Sequence, residues 1–487
     1  METPAVTPAV RKGFFRRFMS WRGVLFLLAA FITLVALLLA EENWRGGRAW
    51  QNYKREMEAK GERFDAARLI PPKVPDGQNL GMLPYFTSEN ADAGPMTGLT
   101  NQFSWPNLRH SATWRYGLAA DLIEWTKAFH GPGADPVQAA STVLDYLNKH
   151  EPVLAELEAA RQRPDCRFNI HYEDWGNLQV DAALIQQLAR IKPLIRVLCL
   201  RAQAEMVSGR TDQAIDDINL MFRIDDGLKD EPLLISQLVR LAGVAIMLQP
   251  IGEGLAEHRW SEAQLRILQE RLQKTDLIAS IVQSFHGERD ICVNQSFDHG
   301  NLNTYGLGLF PRGWVRLEQL RINRACHDML FPRIDLSARK ISPSVNHSID
   351  LAFKKFAAGN WYRVAFIQHS LFAKMLLPAL SGAVRNTAFA QSEVDMAMLA
   401  CALERYRLAE GQYPEELNAL VPRFVTVLPH DIINGQPLKY RRTDNGRFIL
   451  YSVGWNEKDD GGVVATNKEK RQDVLQGDWV WQYPEGN

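Results

Sequence analysis

Two adjacent aspartates stand among glycines in the stretch LYSVGWNEKDDGG, residues 450–462. Asp459 and Asp460 supply carboxylate oxygens, which hard cations such as Ca²⁺ prefer, and the glycines let backbone carbonyls turn inward. The same composition is typical of a solvated acidic turn. The residues alone therefore leave three uses open: a metal loop, a catalytic acid, or a simple reversal of the chain.

A second polar group stands in HYEDWG, between two predicted helices. His171, Glu173, Asp174 and Trp175 are close in sequence, and convergent polar and aromatic side chains often line pockets. A solvent-exposed loop has the same composition, and we favour that interpretation. If the protein is an enzyme, this loop is one place for its site.

Two further pairs have the spacing of known chemistry. His286 and Asp290 are four residues apart, so a helix would place them on one face, where they could bind a metal. The H-E-x-x-H pattern is absent, and an exposed polar face is the favoured interpretation. Ser337 and Lys340 have the S-x-x-K spacing, but neither the S-D-N nor the K-T-G companion is present. No catalytic residue is therefore assigned, and an enzyme is the less favoured class.

Composition and charge narrow the function classes. The 487 residues suffice for about three domains on a length prior, and the 46% hydrophobic content is typical of a chain that buries a core. The 56 basic and 56 acidic residues cancel, so no overall positive field would attract nucleic acid.

The five cysteines form no CxxC pair and do not have zinc-ligand spacing. Cys199 and Cys401 stand in apolar helical stretches and are expected to be small buried hydrophobes. Cys166, Cys292 and Cys326 could include one disulfide if the domain is exported.

One apolar segment predicts a membrane anchor. Residues 23–40, GVLFLLAAFITLVALLLA, carry no charge, and as a helix they would span about 27 Å, close to the hydrocarbon thickness. A cleaved signal peptide is the alternative, but the run is long and Leu38-Leu39-Ala40 is a poor cleavage site. Basic residues flank both ends, with a slight excess before the segment, so the charge rule leans towards a cytoplasmic tail at 1–22 and a bulk outside the cytoplasm.

Changes in composition and apolar periodicity divide the rest of the chain into a stalk and Pro-rich linker (41–98), an α-helical domain (99–380) and a carboxy-terminal unit (381–487). Apolar residues recur near every 3.6 positions in the helical domain, and Ser261 with Gln264 forms a capping box. Ala202, Gly209 and Ala214 match one tetratricopeptide-type hairpin, although the pattern does not repeat. The predicted fold class is therefore mainly α, with irregular stacked helical hairpins.

The carboxy-terminal unit predicts one long helix on a small antiparallel sheet. Met396, Leu399 and Leu403 lie on one helix face, and Gly411 is the expected stop. The segments PLKYRR and RFILYSVG flank Asn445-Gly446, which is a hairpin signal.

This unit resembles the soluble domain of the type II secretion major pseudopilin. The residues that carry the resemblance are Ala402-Leu403, Tyr406, Gly411, Tyr413-Pro414, Leu417, Leu420, Pro429, Asp431, Gly435 and Ser452-Val453-Gly454. They cover roughly a fifth of the chain. The linker and helical region also resemble uncharacterised bacterial membrane-anchored proteins that carry this unit, which implies an architecture and no activity.

The resemblance implies a calcium loop, because pseudopilins bind calcium after the S-x-G strand end. Asn456 matches the first aspartate of that loop, Asp459 and Asp460 match the acidic pair, and Asp478 would close the site. Asn at the first position removes one charge, and a basic stretch is inserted before Asp478. The implied affinity is weak, with a Kd on the order of 10⁻⁴ to 10⁻³ M.

The prepilin signature G-F-T-L-x-E is absent before the apolar segment, so processing into a pilus is not expected. The sequence predicts a single-pass protein of the bacterial cytoplasmic membrane whose exported domains bind other envelope proteins, in a secretion-related role. The alternative is a membrane-tethered periplasmic hydrolase with its site in the loops of the helical domain.

Overall fold

The structure, a computed structural model, describes residues 21–88, 122–128, 131–132, 135–170, 172, 178–298, 310–356, 358–360, 362, 364, 369–468 and 472–482. The predicted fold class is confirmed at its coarse level, because this part of the chain is mainly helical with small antiparallel sheets. The α-helices, in chain order, are α1 (Trp21–Ala59), α2 (Pro84–Thr87), α3 (Leu122–Ala128), α4 (Pro136–His150), α5 (Pro152–Ala159), α6 (Leu178–Val207), α7 (Thr211–Asp226), α8 (Leu234–Ala256), α9 (Glu262–Gln273), α10 (Leu277–Gly287), α11 (Ser296–Asp298), α12 (Arg312–Ala325), α13 (Pro343–Phe356) and α14 (Leu371–Glu410).

Shorter helical pieces join these elements. Two π-helical segments, Glu288–Gln295 and Cys326–Leu330, continue α10 and α12. The 3₁₀ turns are Ala66–Leu69, Asp76–Gln78, Leu80–Met82, Phe331–Arg333 and Leu417–Leu420.

The strands form three small antiparallel sheets. Their bounds are β1 (Ile334–Asp335), β2 (Lys340–Ile341), β3 (Lys439–Arg442), β4 (Phe448–Ser452), β5 (Val464–Thr466), β6 (Gln472–Gly477) and β7 (Trp479–Gln482). The three-stranded sheet has the order β3-β4-β7, with Tyr440 opposite Leu450 and Leu450 opposite Trp481. Asn445-Gly446 makes the predicted hairpin turn, and Gly446 has φ +74°.

Helical hairpins build the core of the body. The hairpin of α6 and α7 turns at Gly209, with φ +75°, and buries Ala202, Ala214 and Ile218 completely. Helix α8 packs on α6, and both α8 and α9 pack on α14. The capping box of Ser261 and Gln264 is present at the start of α9, as predicted. The likeness of the hairpin to a tetratricopeptide repeat stays a prediction.

The membrane-type segment does not end where the apolar residues end. Helix α1 continues as one helix to Ala59, and its carboxy-terminal half packs along α12. Trp50, Tyr53 and Met57 are buried there with Leu320. The first part of the predicted stalk therefore packs on the helical body, because Trp50, Tyr53 and Met57 recur on the side of α1 that faces α12.

Two helices among the described residues are long and apolar enough to cross a membrane. They are Trp21–Ala59, whose apolar window is not buried within the protein, and Leu234–Ala256, whose window is 72% buried. Helix α8 is accordingly explained as the core helix of the body. Helix α1 is the membrane candidate.

The carboxy-terminal unit is joined to the body without a break. Helix α14 runs through the predicted boundary between residues 380 and 381, and a single cluster of buried apolar side chains includes Leu268 of the body and Leu450 of the sheet. As predicted, the long helix packs on the sheet, where the rings of Phe389 and Trp479 meet edge to face at 5.1 Å.

Candidate functional site

The loop predicted to bind calcium lies between β4 and β5. Asp478, just before β7, is fully buried, and its carboxylate accepts hydrogen bonds from the backbone amides of Gly462 (2.7 Å) and Asp460 (3.1 Å). Burial raises the pKa of Asp478, while those amide bonds oppose the shift. Asp478 therefore fixes the loop through two backbone amides.

The other three predicted ligands bond to different neighbours. Asp459 accepts from the Tyr451 hydroxyl at 3.0 Å and pairs with Lys439 at 3.2 Å. The Asn456 amide donates to Asp460 at 2.8 Å. The hydrogen bond from the Gly461 amide is the main reason that the pKa of Asp459 is lowered.

These four side chains do not form one coordination shell in the structure. Within the described ranges, no group of three or more His, Cys, Asp or Glu side chains is placed to hold a metal ion. Calcium would need six to eight oxygens, and Asp459 is turned away towards Tyr451 and Lys439. The arrangement supports a hydrogen-bonded turn, and calcium binding stays a prediction.

His286 and Asp290 are not the exposed polar face that the sequence suggested. Asp290 is buried and accepts from Arg289 at 2.7 Å and from Asn294 at 3.3 Å. His286 is half-buried, stacks on Phe331 at 4.4 Å, and has its pKa lowered by burial first and by Arg289 second. The prediction was wrong because the sequence shows which residues share a helix face but not which neighbouring segment covers that face.

The buried Asp290 has a structural use. Arg289 also donates to Glu62 at 2.9 Å and to the backbone carbonyl of Arg63 at 3.0 Å. The ion pair of Arg289 and Asp290 therefore joins the segment after α1 to the π-helical segment Glu288–Gln295. A buried charge with several partners is expected where two chain segments must keep one register.

The other candidates contribute no assembled site. His171, Glu173, Asp174 and Trp175 lie outside the described residues. Ser337 donates to Asp335 at 2.7 Å, so its hydroxyl is bonded to an acid rather than to Lys340.

All five cysteines are free, so the suggested disulfide is not formed. Cys199 and Cys401 are completely buried, as predicted.

Residues that carry the resemblance to pseudopilins meet in space. Asp431 is buried and accepts from the Ser452 hydroxyl (2.9 Å), from the Val453 amide (3.0 Å) and from the Ile433 amide (3.0 Å). Gly435, with φ +76°, closes the same turn, because its backbone N–H donates a hydrogen bond to the Asp431 carbonyl at 2.7 Å. The turn and the strand end are thus held together by one carboxylate.

Glu404 was missed by the sequence reasoning. It lies on α14, is buried, and accepts from Tyr413 at 2.6 Å, from Arg407 at 2.7 Å and from His258 at 2.8 Å. Burial alone would raise the pKa of Glu404, but these hydrogen bonds outweigh burial and lower it to about 2. His258 comes from a distant loop, so no local spacing could have revealed the cluster.

Several buried carboxylates have raised pKa values and structural partners. Burial raises the pKa of Glu318 to about 7, and its oxygens accept from the amides of Leu371 and Phe372 at the start of α14. Burial also raises the pKa of Asp225 to about 7, and Asp225 pairs with Arg240 at 3.1 Å. These groups hold helices together, although such perturbed groups can also mark functional sites.

Two surface grooves are large enough to hold a ligand or a peptide segment. The first, about 610 Å³, lies beside β3 and is lined by residues 415–418, 428–430 and 435–440. The second, about 540 Å³, lies on the helical body between the Pro71-Pro72 segment and the ends of α7 and α9.

No family model, curated protein or solved structure matches this chain. Function has to be inferred from the geometry described above.

Proposed function

We propose that this protein is a single-pass membrane-anchored scaffold of the bacterial envelope. In this proposal α1 crosses the cytoplasmic membrane, the body lies on the exterior side, and the carboxy-terminal unit binds a protein partner in a secretion-related process. No catalytic role is included.

The continuity of α1 with the body is the observation that carries the proposal. Gly46 and Gly313 allow α1 and α12 to touch, because a Cβ on Gly46 would lie 2.3 Å from the Gly313 carbonyl oxygen. The Asn43 side chain also accepts from the Gly313 amide at 2.6 Å. A helix that merely tethered the body would not need this contact, whereas a scaffold that holds a fixed position does.

Aromatic residues support the placement of α1 in a membrane. Trp21 and Trp44 are 78% and 64% exposed, and they are separated by about 35 Å along the helix at 1.5 Å per residue. That distance matches the hydrocarbon core plus part of each interface, where tryptophan is enriched. Arg48 lies over the Trp44 ring at 5.3 Å, as expected for an interfacial pair.

The groove beside β3 is the proposed partner-binding surface. It lies beyond the carboxy-terminal end of α14, which is about 60 Å long from its 40 residues. Strand β3 is at the edge of its sheet, and an edge strand offers unpaired backbone groups to a partner. Exterior placement is supported by the resemblance to pseudopilins, whose domains lie outside the cytoplasmic membrane.

The location is tested by fusing a phosphatase that is active only outside the cytoplasm to the carboxy terminus of the full chain. The expected result is high phosphatase activity in whole cells. A second fusion at the same site carries a fluorescent protein that folds only in the cytoplasm. A stable but inactive phosphatase fusion together with a fluorescent second fusion would place the body in the cytoplasm and overturn the proposal.

Partner binding is tested by photo-crosslinking in intact cells. A crosslinking amino acid is placed at Asn418 and Gln436, both exposed at the groove, and at Arg266 and Glu270, both exposed on α9. We expect the same protein, identified by mass spectrometry, at both groove positions and at neither α9 position. Adding Leu428→Asp in the groove should abolish that adduct, and an identical adduct pattern at all four positions would contradict the proposal.

A further inference from the structure

The groove on the helical body is distinct from the proposed partner surface and has an uneven charge. Its volume of about 540 Å³ is within the roughly 300–1,000 Å³ range of small-molecule sites. Pro71, Pro72 and Val74 form an apolar wall. Its basic residues outnumber its acidic ones by five to three, the basic ones being Arg167, Arg223, Lys229, Arg271 and Lys274.

Arg223, on α7, is half-buried and has no carboxylate partner in the described ranges. Its guanidinium instead donates to the backbone carbonyls of Arg161 and Arg163, the latter at 2.8 Å. Burial lowers the pKa of Arg223, and the nearby charges of Arg271 and Arg161 lower it further. A cation held among cations in this way has a surplus of positive potential.

Arg167 is the second uncompensated cation. Its backbone is fixed on both sides by Asn79, which accepts from the Arg167 amide at 2.7 Å and donates to its carbonyl at 2.8 Å. Its side-chain Nε is buried and has no hydrogen-bond partner. Glu231 is within electrostatic range, but burial raises the pKa of Glu231 to about 8, which opposes its ionised form.

The acidic residues of the groove do not cancel this charge. Asp226 pairs with Arg271 at 3.6 Å. Asp165 and Asp230 are exposed, where solvent screens them from the two arginines. A half-buried guanidinium without an anion is costly, and a bound anion would remove that cost.

We propose that this groove binds a small organic anion whose carboxylate or phosphate group is held by Arg167 and Arg223. The planar fork of arginine matches both oxyanions in bidentate geometry. Lys274 and Lys229, exposed in the same groove, would add long-range attraction. The apolar wall of Pro71, Pro72 and Val74 would contact the carbon part of the ligand. The inference does not depend on the scaffold function.

The test is the melting temperature of the full chain in detergent, titrated with sodium phosphate or sodium succinate at fixed ionic strength against sodium chloride. Phosphate stabilises many proteins by exclusion from their surface. The rise caused by binding in the groove is therefore measured by comparing the native chain with two variants. Arg167→Gln removes a groove cation, and Arg266→Gln removes an exposed cation on α9 that lies outside the groove.

For the native chain and for Arg266→Gln we expect a melting-temperature rise that saturates with either anion. For Arg167→Gln we expect at least a fivefold smaller rise. In chloride alone Arg167→Gln should melt at the same temperature or higher, because it removes an unpaired charge. A rise that does not saturate, or that is equal in all three chains, overturns the proposal as a general salt effect.

If Arg167→Gln lowers the melting temperature in chloride, the side chain has a structural use and Lys274→Gln replaces it in the comparison. Lys274 is exposed, so this variant tests the groove without disturbing the core. Because Lys274 contributes long-range attraction, we expect Lys274→Gln to reach its saturating rise only at a higher anion concentration than the native chain. A titration curve identical to that of the native chain would overturn the proposal.

Discussion

Glu404 joins three parts of the chain at one carboxylate. His258 follows α8, Arg407 lies one turn along α14, and Tyr413 follows the helix end at Gly411. The Glu404 carboxylate therefore accepts hydrogen bonds from donors of both the body and the carboxy-terminal unit. Its ionised form is favoured in the folded state, because all of these groups donate to it.

Acid should weaken the fold through Glu404. Its folded pKa of about 2 is below the ordinary value of 4.5, so its contribution is present above pH 4.5 and is lost as pH falls from 4.5 towards 2. The shift corresponds to about 3 kcal/mol at neutral pH. Glu404→Gln should lower the free energy of unfolding by about 2–3 kcal/mol at pH 7, measured by denaturant titration, with much less difference near pH 2.

Glu410→Gln is the matched control, since Glu410 is an exposed acid on the same helix that pairs with Arg423. It should change the free energy of unfolding by less than about 1 kcal/mol, as surface pairs do. A Glu404→Gln effect no larger than this, or one independent of pH, would contradict the account of the cluster.

The calcium hypothesis makes a separate prediction at Asp460. With a Kd of about 0.5 mM, 5 mM CaCl₂ would stabilise the folded state by about 1.4 kcal/mol, seen as a higher melting temperature than in excess chelator. Asp460→Asn should remove the rise while changing the calcium-free melting temperature little, because Asp460 is exposed. An equal melting temperature in calcium and chelator would contradict the hypothesis.

At the scale of elements, the contact between α1 and α12 depends on the absence of side chains. A Cβ on Gly313 would lie 2.2 Å from the carbonyl oxygen of Glu42, and the corresponding atom on Gly46 would strike Gly313. Backbone atoms cannot move aside as a flexible side chain can. The two helices therefore approach closely only because both positions are glycine.

Gly46→Ala should separate the two helices. Overpacking of this kind costs about 1–3 kcal/mol, so the melting temperature of the body should fall and the segment near Tyr53 should become easier to cleave by protease. Gly47→Ala is the neighbouring control, since nothing lies within 4 Å of a Cβ there. We expect it to be neutral or to stabilise by up to about 1 kcal/mol, and equal effects of the two changes would contradict the packing.

At the scale of the whole molecule, three helices share one direction. The Gly313 amide at the start of α12 bonds to Asn43 of α1, and the start of α14 is held by Glu318 of α12. Further along, Ser381 of α14 accepts from Arg333 beyond the end of α12, at 3.2 Å. All three helices therefore run from the end of the body near residue 43 towards the carboxy-terminal unit.

This arrangement places the first turn of α12 at the membrane surface if α1 spans the bilayer. Residues 42–46 lie roughly 3–9 Å beyond Ala40 along α1, which is the depth of the headgroups. A spin label at Arg312→Cys, in a chain whose Cys166 and Cys292 are replaced by alanine, should be less accessible to a water-soluble relaxant in proteoliposomes than an aqueous site is, as expected at headgroup depth. A label at Glu58→Cys, exposed near the end of α1, should not.

The comparison is informative because Arg312 is far from the apolar segment in sequence and near it only through the fold. Equal, fully aqueous accessibility at both labels would contradict the membrane placement of α12. A lipid-exposed Glu58 label would show that α1 lies along the bilayer surface rather than crossing it.

Local signals were enough for much of the secondary structure. The apolar run of residues 23–40, the capping box at Ser261, the stop at Gly411 and the hairpin at Asn445-Gly446 all depend on contacts within a few residues of each other. Sequence determines such features directly, since the backbone must satisfy its hydrogen bonds locally. The turn joining Asp431 to Ser452-Val453 became visible only in the structure, although its residues had been singled out by resemblance.

By itself, the sequence determined a mainly helical protein with one membrane-type segment and a helix-on-sheet unit at its end. Tertiary structure decided that α1 and α14 continue through the expected boundaries, that Asp290 is buried, and that His258 reaches Glu404. It also decided which charged side chains have partners. In the described residues, the buried Nε of Arg167 has none. These outcomes depend on which distant surfaces cover each other, and neither periodicity nor spacing along the chain carries that information.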